Sequence, residues 1–150
     1  MELSEYLTND LIFHLSDNIR SRDEAIRFLA DQCAHKKILD NEEVFYQAIQ
    51  ERESLVSTGI GMGIAIPHAK LDTLENFFVL IAIHKQGIEW KSLDGELVHL
   101  IFLIGGPSQQ QTEYLKLLSS LTLFLKNEKH RNRLLETASK EGVFQLFQTH

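Results

Sequence analysis

The spacing of apolar residues divides the chain into alternating helical and extended stretches. A short polar opening precedes Leu11-Ile12-Phe13-His14-Leu15, which reads as a strand. Ser21-Arg22-Asp23-Glu24 has the form of a capping box, in which the serine hydroxyl and the glutamate carboxylate satisfy each other's orphan amides. Ile26, Leu29, Ala30 and Cys33 follow at helical spacing. Asp40 and Glu43 predict a second helix start, with Val44, Phe45, Ala48 and Ile49 as its buried stripe. Between Ser54 and Pro67 the rhythm changes, with three glycines in five residues between short extended pieces. Phe77–Ile83 and Leu97–Ile104 are nearly continuous apolar runs, the pattern of strands covered on both faces, and Gly105-Gly106-Pro107 ends the second. Leu115, Leu118, Leu121 and Leu125 return to helical spacing over about residues 112–126, and two shorter helices, roughly 128–138 and 139–148, complete the chain. Helices before, between and after buried strands predict an α/β sandwich with helices on both sheet faces. Strand order stays open.

Composition narrows this picture. A chain of 150 residues, 43% hydrophobic and 24% charged, is large enough to bury a core without staples, so residues 1–150 read as one domain. The net charge of −6 argues against a nucleic-acid binder, which needs clustered lysine and arginine. Lys36-Lys37 and the Lys126 to Arg133 region are the local basic clusters, and both read as solvated helix ends. Cys33 is the sole cysteine, which rules out an internal disulfide and a cysteine-rich metal site; its apolar setting points to an inert buried thiol. The start, MELSEYLTND, has neither the basic end nor the apolar centre of a secretory signal, and Phe77–Ile83 is too short to span a bilayer. These features predict a soluble, cytoplasmic protein without membrane insertion.

Candidate chemistry concentrates in the stretch from position 51, ERESLVSTGIGMGIAIPHAKLD. Gly59, Gly61 and Gly63 alternate with Ile60, Met62 and Ile64, a pattern that lets backbone approach a ligand while apolar residues anchor the loop. Successive amides in such a loop can form an anion-binding concavity. Pro67 fixes the backbone just before His68, and Arg52 lies upstream at a helix end, where its guanidinium can fork onto phosphate oxygens. A neutral imidazole is nucleophilic near pH 7, and its N–P bond stays reactive enough to pass a phosphoryl group on. The remaining work is positioning and charge stabilisation, for which Arg52, the Ser57 and Thr58 hydroxyls and the loop amides are suitable donors.

Residues 57–70, Ser-Thr-Gly-Ile-Gly-Met-Gly-Ile-Ala-Ile-Pro-His-Ala-Lys, resemble the active-site signature of the fructose/mannitol-type (type 2) enzyme IIA family of the bacterial phosphoenolpyruvate-dependent sugar phosphotransferase system. Arg52-Glu53 fits as well, since the family pattern places an acidic or amide residue before the glycine loop. The likeness extends over about positions 5–148 and is greatest to the nitrogen-related regulatory branch, whose members are free-standing single domains. It implies the enzyme IIA mannitol/fructose-type fold, a mixed sheet between helices on both faces. It also implies phosphorylation of His68 through Nε2, with an HPr-like phosphocarrier as donor and no cofactor or metal. Arg52, Ser57, Thr58, Gly59 and Gly61 would support the phosphoryl group. Regulatory target proteins, or a cysteine of enzyme IIB in transport members, would come next. One departure stands out. Where many members carry a second active-site histidine, the stretch Gln111-Thr112-Glu113-Tyr114-Leu115-Lys116 places Tyr114. A phenol can donate a hydrogen bond to a phosphoryl oxygen but does not become a cation near pH 7, so acceptance at His68 is expected to survive while onward transfer is altered.

Other residues receive quieter readings. His84 and His99 sit in or beside buried strands and can face each other across the sheet, but their spacing does not match metal ligation and a structural role is favoured. His14, His35, His130 and His150 read as surface or terminal residues, Trp90 as a packing or turn residue with an interaction role as the alternative, and Asp94 as a turn former. Two rival functions remain: an interaction module that kept the fold and lost phosphoryl relay, and a hydrolase pairing His68 with His84 or His99. The lack of a fused IIB or IIC segment favours a regulatory over a transport role.

Overall fold

The computed structural model describes residues 2–148, which leaves His150 outside the described residues. Two 3-10 turns, Leu3–Tyr6 and Asn9–Leu11, lead into strand β1, Ile12–His14. Helix α1, Arg22–His35, starts at Ser21, whose side chain accepts the Glu24 amide. The Glu24 carboxylate reaches back to the Arg20 amide, one residue earlier than a closed capping box requires. Helix α2, Glu42–Leu55, is capped by Asn41 and not by Asp40, because the Asn41 side-chain oxygen accepts the Val44 amide. Its buried side chains are Phe45, Ile49 and Glu53, spaced by four, while Val44 is 49% exposed and lies off the predicted stripe.

The glycine-rich stretch folds into strands β2, Gly59–Gly61, β3, Ile64–Ala65, and β4, His68–Lys70. The two apolar runs become the long strands β5, Phe78–Ile88, and β6, Val98–Gly106, so that β6 continues through both glycines and stops at Pro107. A side chain at Gly106 would collide with the Phe77 ring, and one at Gly105 with that of Phe78. Helices α3, Gln111–Lys126, α4, Glu128–Glu136, and α5, Lys140–Gln148, follow.

The sheet is mixed, in the order β1-β5-β6-β3-β2, and β4 also pairs with β6 beyond β3. Strands β1 and β5 are parallel, β5 and β6 antiparallel, and β3 and β4 both run parallel to β6. Alternation along β5 sends Phe78, Leu80 and Ala82 into one core with α1 and α2, and Val79, Ile81 and Ile83 into another with α3, α4 and α5. The predicted sandwich with helices on both faces is therefore the observed architecture. The α3 stripe differs from the predicted one: Tyr114, Leu117, Leu121, Phe124 and Leu125 are buried and Leu115 is 52% exposed.

The single thiol behaves as expected of a buried one. Cys33 is fully enclosed on α1, and burial pushes its pKa up to about 12. His84 and His99 are held by backbone. Gly87 N–H donates to His84 Nδ1, which leaves Nε2–H to donate to the Ile19 carbonyl, while His99 Nδ1 lies 3.0 Å from the His84 carbonyl. His14 and His35 are exposed, but His130 is half-buried and stacks on Phe124. Trp90 is fully buried in the α1/α2 core.

Candidate active site

His68 opens β4, an edge strand held against the last residues of β6 by the register His68↔Ile104. Pro67 separates β4 from β3, and its carbonyl accepts the Ile104 amide, so β3 and β4 share one side of β6 with a break between them. Ala69 points into the α1/α2 core, which turns His68 and Lys70, one residue to either side, toward the opposite face. His68 is half-buried there, between the carboxyl end of α2 and the amino end of α3.

The imidazole is held at both nitrogens. Nδ1 lies 3.1 Å from the Ile66 carbonyl, and Arg52 Nε donates to Nε2 at 3.2 Å. A guanidinium only donates, so Nε2 presents its lone pair and Nδ1 carries the proton toward Ile66. Arg52 is fixed in turn by a bond from Nη1 to the Val56 carbonyl at 2.8 Å, one of the unsatisfied carbonyls beyond the end of α2. Burial is the first cause that lowers the His68 pKa below 6.5, and the Arg52 and Lys70 charges add to it, against the Ile66 hydrogen bond and Glu53. The ring is therefore neutral and nucleophilic at pH 7. A pH titration of its ring protons by NMR should give a midpoint below 6.5. Because the unfolded chain then binds the proton more readily than the folded one, stability should fall as pH drops below about 6.5. A midpoint above that value would show that burial and the two cations do not outweigh the Ile66 hydrogen bond and Glu53.

Tyr114 is buried, with its ring centroid 5.6 Å from that of His68, and burial raises its pKa against the opposing Arg52 charge. It is a wall of the site and not the surface aromatic that helical position alone suggests. Lys70 Nζ lies 4.3 Å over the same ring. The open cleft beside His68, about 740 Å³, is lined by Glu51, Arg52, Ser54, Leu55, His68 and Lys70, among others.

The remaining sequence candidates have other neighbours. The Ser57 hydroxyl donates to the Trp90 carbonyl, and the Thr58 hydroxyl donates to Glu53 and accepts the Trp90 indole N–H at 3.2 Å. Both hydroxyl protons are thus engaged by the Trp90 carbonyl and the Glu53 carboxylate and not by His68. Gly59 passes so close to Ser92 that a side chain would strike the serine hydroxyl, and Leu93 N–H donates to its carbonyl. Gly61 has φ +97° and packs on Asp94, whose carboxylate accepts the Met62 amide. Ile64 pairs with Leu100 and His68 with Ile104, four residues apart on β6, so the Gly61–Gly63 turn lies about 13 Å along the strand from His68. The close approach that these glycines permit is to the 92–94 turn.

Glu53 is the residue whose part was not assigned from sequence. Its carboxylate is buried on the Phe45/Ile49 side of α2 and accepts both the amide and the hydroxyl of Thr58. Thr58 O in turn accepts the Ile66 amide, and Ile66 O holds His68 Nδ1. An acid on the four-residue repeat of an otherwise apolar stripe was the available signal.

The model for the family described as "Phosphoenolpyruvate-dependent sugar phosphotransferase system, EIIA 2" matches residues 5–150. The fructose-specific EIIABC component of Bacillus subtilis is 33% identical over the whole chain, which spans only 24% of that protein. A mannitol-specific enzyme IIA component of Staphylococcus aureus is 34% identical, with 97% of each chain covered. A nitrogen regulatory protein of Bradyrhizobium diazoefficiens is 30% identical over 84% of this chain and 82% of its own. Among solved structures, IIA mannitol from Escherichia coli superposes with a TM-score of 0.79 at 27% identity, covering 94% of this chain and 98% of that one. Nitrogen regulatory protein IIA-Ntr from Neisseria meningitidis does so at 0.88 with 24% identity, covering 97% and 98%. A complex of enzyme IIA and phosphorylated enzyme IIB for mannitol from Escherichia coli contains a similar chain, TM-score 0.81 at 24% identity, covering 96% and 98%. Among the described residues no helix is long and apolar enough to cross a membrane.

Proposed function

Since the chain belongs to the EIIA 2 family of the phosphoenolpyruvate-dependent sugar phosphotransferase system, we propose that it accepts a phosphoryl group on Nε2 of His68 and acts as a regulatory, cytoplasmic phosphocarrier. The observation that carries this reading is the held tautomer: Nδ1–H on the Ile66 carbonyl and the Nε2 lone pair turned to Arg52. In the step itself the lone pair forms a new N–P bond while the bond from phosphorus to the donor's leaving nitrogen breaks. No proton has to leave His68. The ring keeps its Nδ1 proton and becomes a phosphoimidazolium, whose N–P bond is weak enough for onward transfer. Arg52 Nε–H gives up the lone pair and turns to a phosphoryl oxygen, where charge develops.

The donor is an HPr-like phosphocarrier or its nitrogen-branch counterpart. The regulatory role rests on the similarity to nitrogen regulatory proteins and on Tyr114 in the place where the resemblance expects a second histidine. A transport role, with the phosphoryl group handed to an enzyme IIB cysteine, is supported by the fructose- and mannitol-specific relatives. Incubation with enzyme I, HPr and labelled phosphoenolpyruvate should leave acid-labile phosphate on the wild-type protein, assigned to His68 Nε2 by NMR. An unlabelled chain, or phosphate at another residue, overturns the proposal and leaves the interaction-module reading. Adding an enzyme IIB then separates the two roles, since a transport protein loses its label to that cysteine.

A further inference from the structure

We propose that Lys70 is a second cationic contact for the phosphoryl group, opposite Arg52, and that it reaches that group by leaving the Gln111 carboxamide. The inference rests on acceptance of phosphate by His68 and gives a phosphate contact to a residue of the motif that the transfer step above does not use. Its first support is strand geometry. His68 and Lys70 stand two apart on β4, so their side chains leave the same face, and both line the cleft that Arg52 borders.

The second support is the way Lys70 is held. Nζ donates to Gln111 Oε1 at 2.8 Å and lies 4.3 Å over the Tyr114 ring, which itself lies 5.6 Å from the His68 ring. The Tyr114 ring thus packs against both the acceptor imidazole and the Lys70 ammonium. Both holding groups are neutral. Among the described residues Arg22, Arg27 and Lys36 have carboxylates within 4.0 Å, whereas neither Arg52 nor Lys70 forms such a pair. A carboxamide oxygen and an aromatic face are weak partners for an ammonium beside a phosphoryl dianion. The lysine stem is flexible enough to make the change without moving the backbone. The phenol of Tyr114 therefore does not leave the site short of positive charge, because it seats a lysine where a second imidazole would otherwise supply it.

The test compares wild type, Lys70→Met and Lys70→Arg in single-turnover transfer from phosphorylated HPr, with fold checked by circular dichroism and thermal unfolding. Loss of one charge-assisted contact should slow acceptance by Lys70→Met roughly 10- to 100-fold. Lys70→Arg should recover most of the rate. Phosphorylation of the wild type should also shift the Gln111 side-chain amide NMR signals as Nζ departs, and these signals should stay in place in Lys70→Met. A labelled wild type matched by Lys70→Met, in rate and in Gln111 response, overturns the role of Lys70 alone. A wild type that takes no label removes the acceptor, and this inference falls with it.

Discussion

Arg52→Ala is expected to slow phosphorylation of His68 by roughly 10²- to 10³-fold, the usual loss when one preorganised donor is removed from developing charge. Two contacts disappear. The Nε–H that faces Nε2 is the donor nearest the bond being made, and the Nη1 bond to Val56 O ties off the end of α2. The second loss affects stability only modestly, since an exposed hydrogen bond contributes about 1 kcal/mol. A fall in Tm of about 2–4 °C should accompany it. The His68 midpoint should rise as well, because one of the charges that hold it down is gone. Rapid-quench transfer kinetics check the first effect and a pH titration the last. Unchanged kinetics in a folded variant would show that Arg52 serves the helix end alone.

Trp90→Ala should cost about 3–5 kcal/mol, the range for truncating a large aromatic in a packed core. For a chain of this size that is a fall in Tm of roughly 6–20 °C. The ring is fully buried, and its indole N–H donates to Thr58, which also binds Glu53. Trp90→Phe keeps most of the volume and removes the donor, so it should cost much less. Thermal unfolding of the two variants separates cavity from hydrogen bond. A loss below about 3 °C for the alanine variant would place Trp90 outside the core.

The consequence of such a loss should extend to His68. Glu53, Thr58, Ile66 and His68 form a continuous line of hydrogen bonds, and Trp90 holds one member of it. Loosening that line frees the imidazole to turn. Slower transfer in Trp90→Ala, measured on the fraction that remains folded, would be the sign of it.

Much of this architecture was legible along the chain, for identifiable reasons. The runs in β5 and β6 could be read because strands buried on both faces have no polar alternation to confuse. Ser21 announced α1 because a cap and its amide lie three residues apart. The α3 stripe was misplaced because LKLLSSLTLFL supplies leucine to more than one helix face, and only the β5/β6 surface decides that Leu117 goes in and Leu115 out. Asp40 and Asn41 are equally good caps on paper, and the backbone selected Asn41. His68 and Arg52, which the fold brings to 3.2 Å, could be singled out from the motif, since both belong to one short stretch. What the glycines approach was not. Ser92 and Asp94 lie some thirty residues further on, and only the folded sheet sets them against Gly59 and Gly61. The hydroxyls of Ser57 and Thr58 were assigned by type, and their partners Glu53 and Trp90 become visible only with the fold.

His68 stands on an edge strand, with Arg52 arriving from the helical layer on one side of the sheet and Tyr114 from the layer on the other. The site is a seam between the two helical layers. A protein that reaches Nε2 must straddle this seam and read the relative placement of α2 and α3 in a single contact. A dianion seated there would act as a rivet, pulling on both layers from the same point. Modification would then be felt as a change in how tightly the two halves are closed, and a partner need not touch the phosphate to sense it.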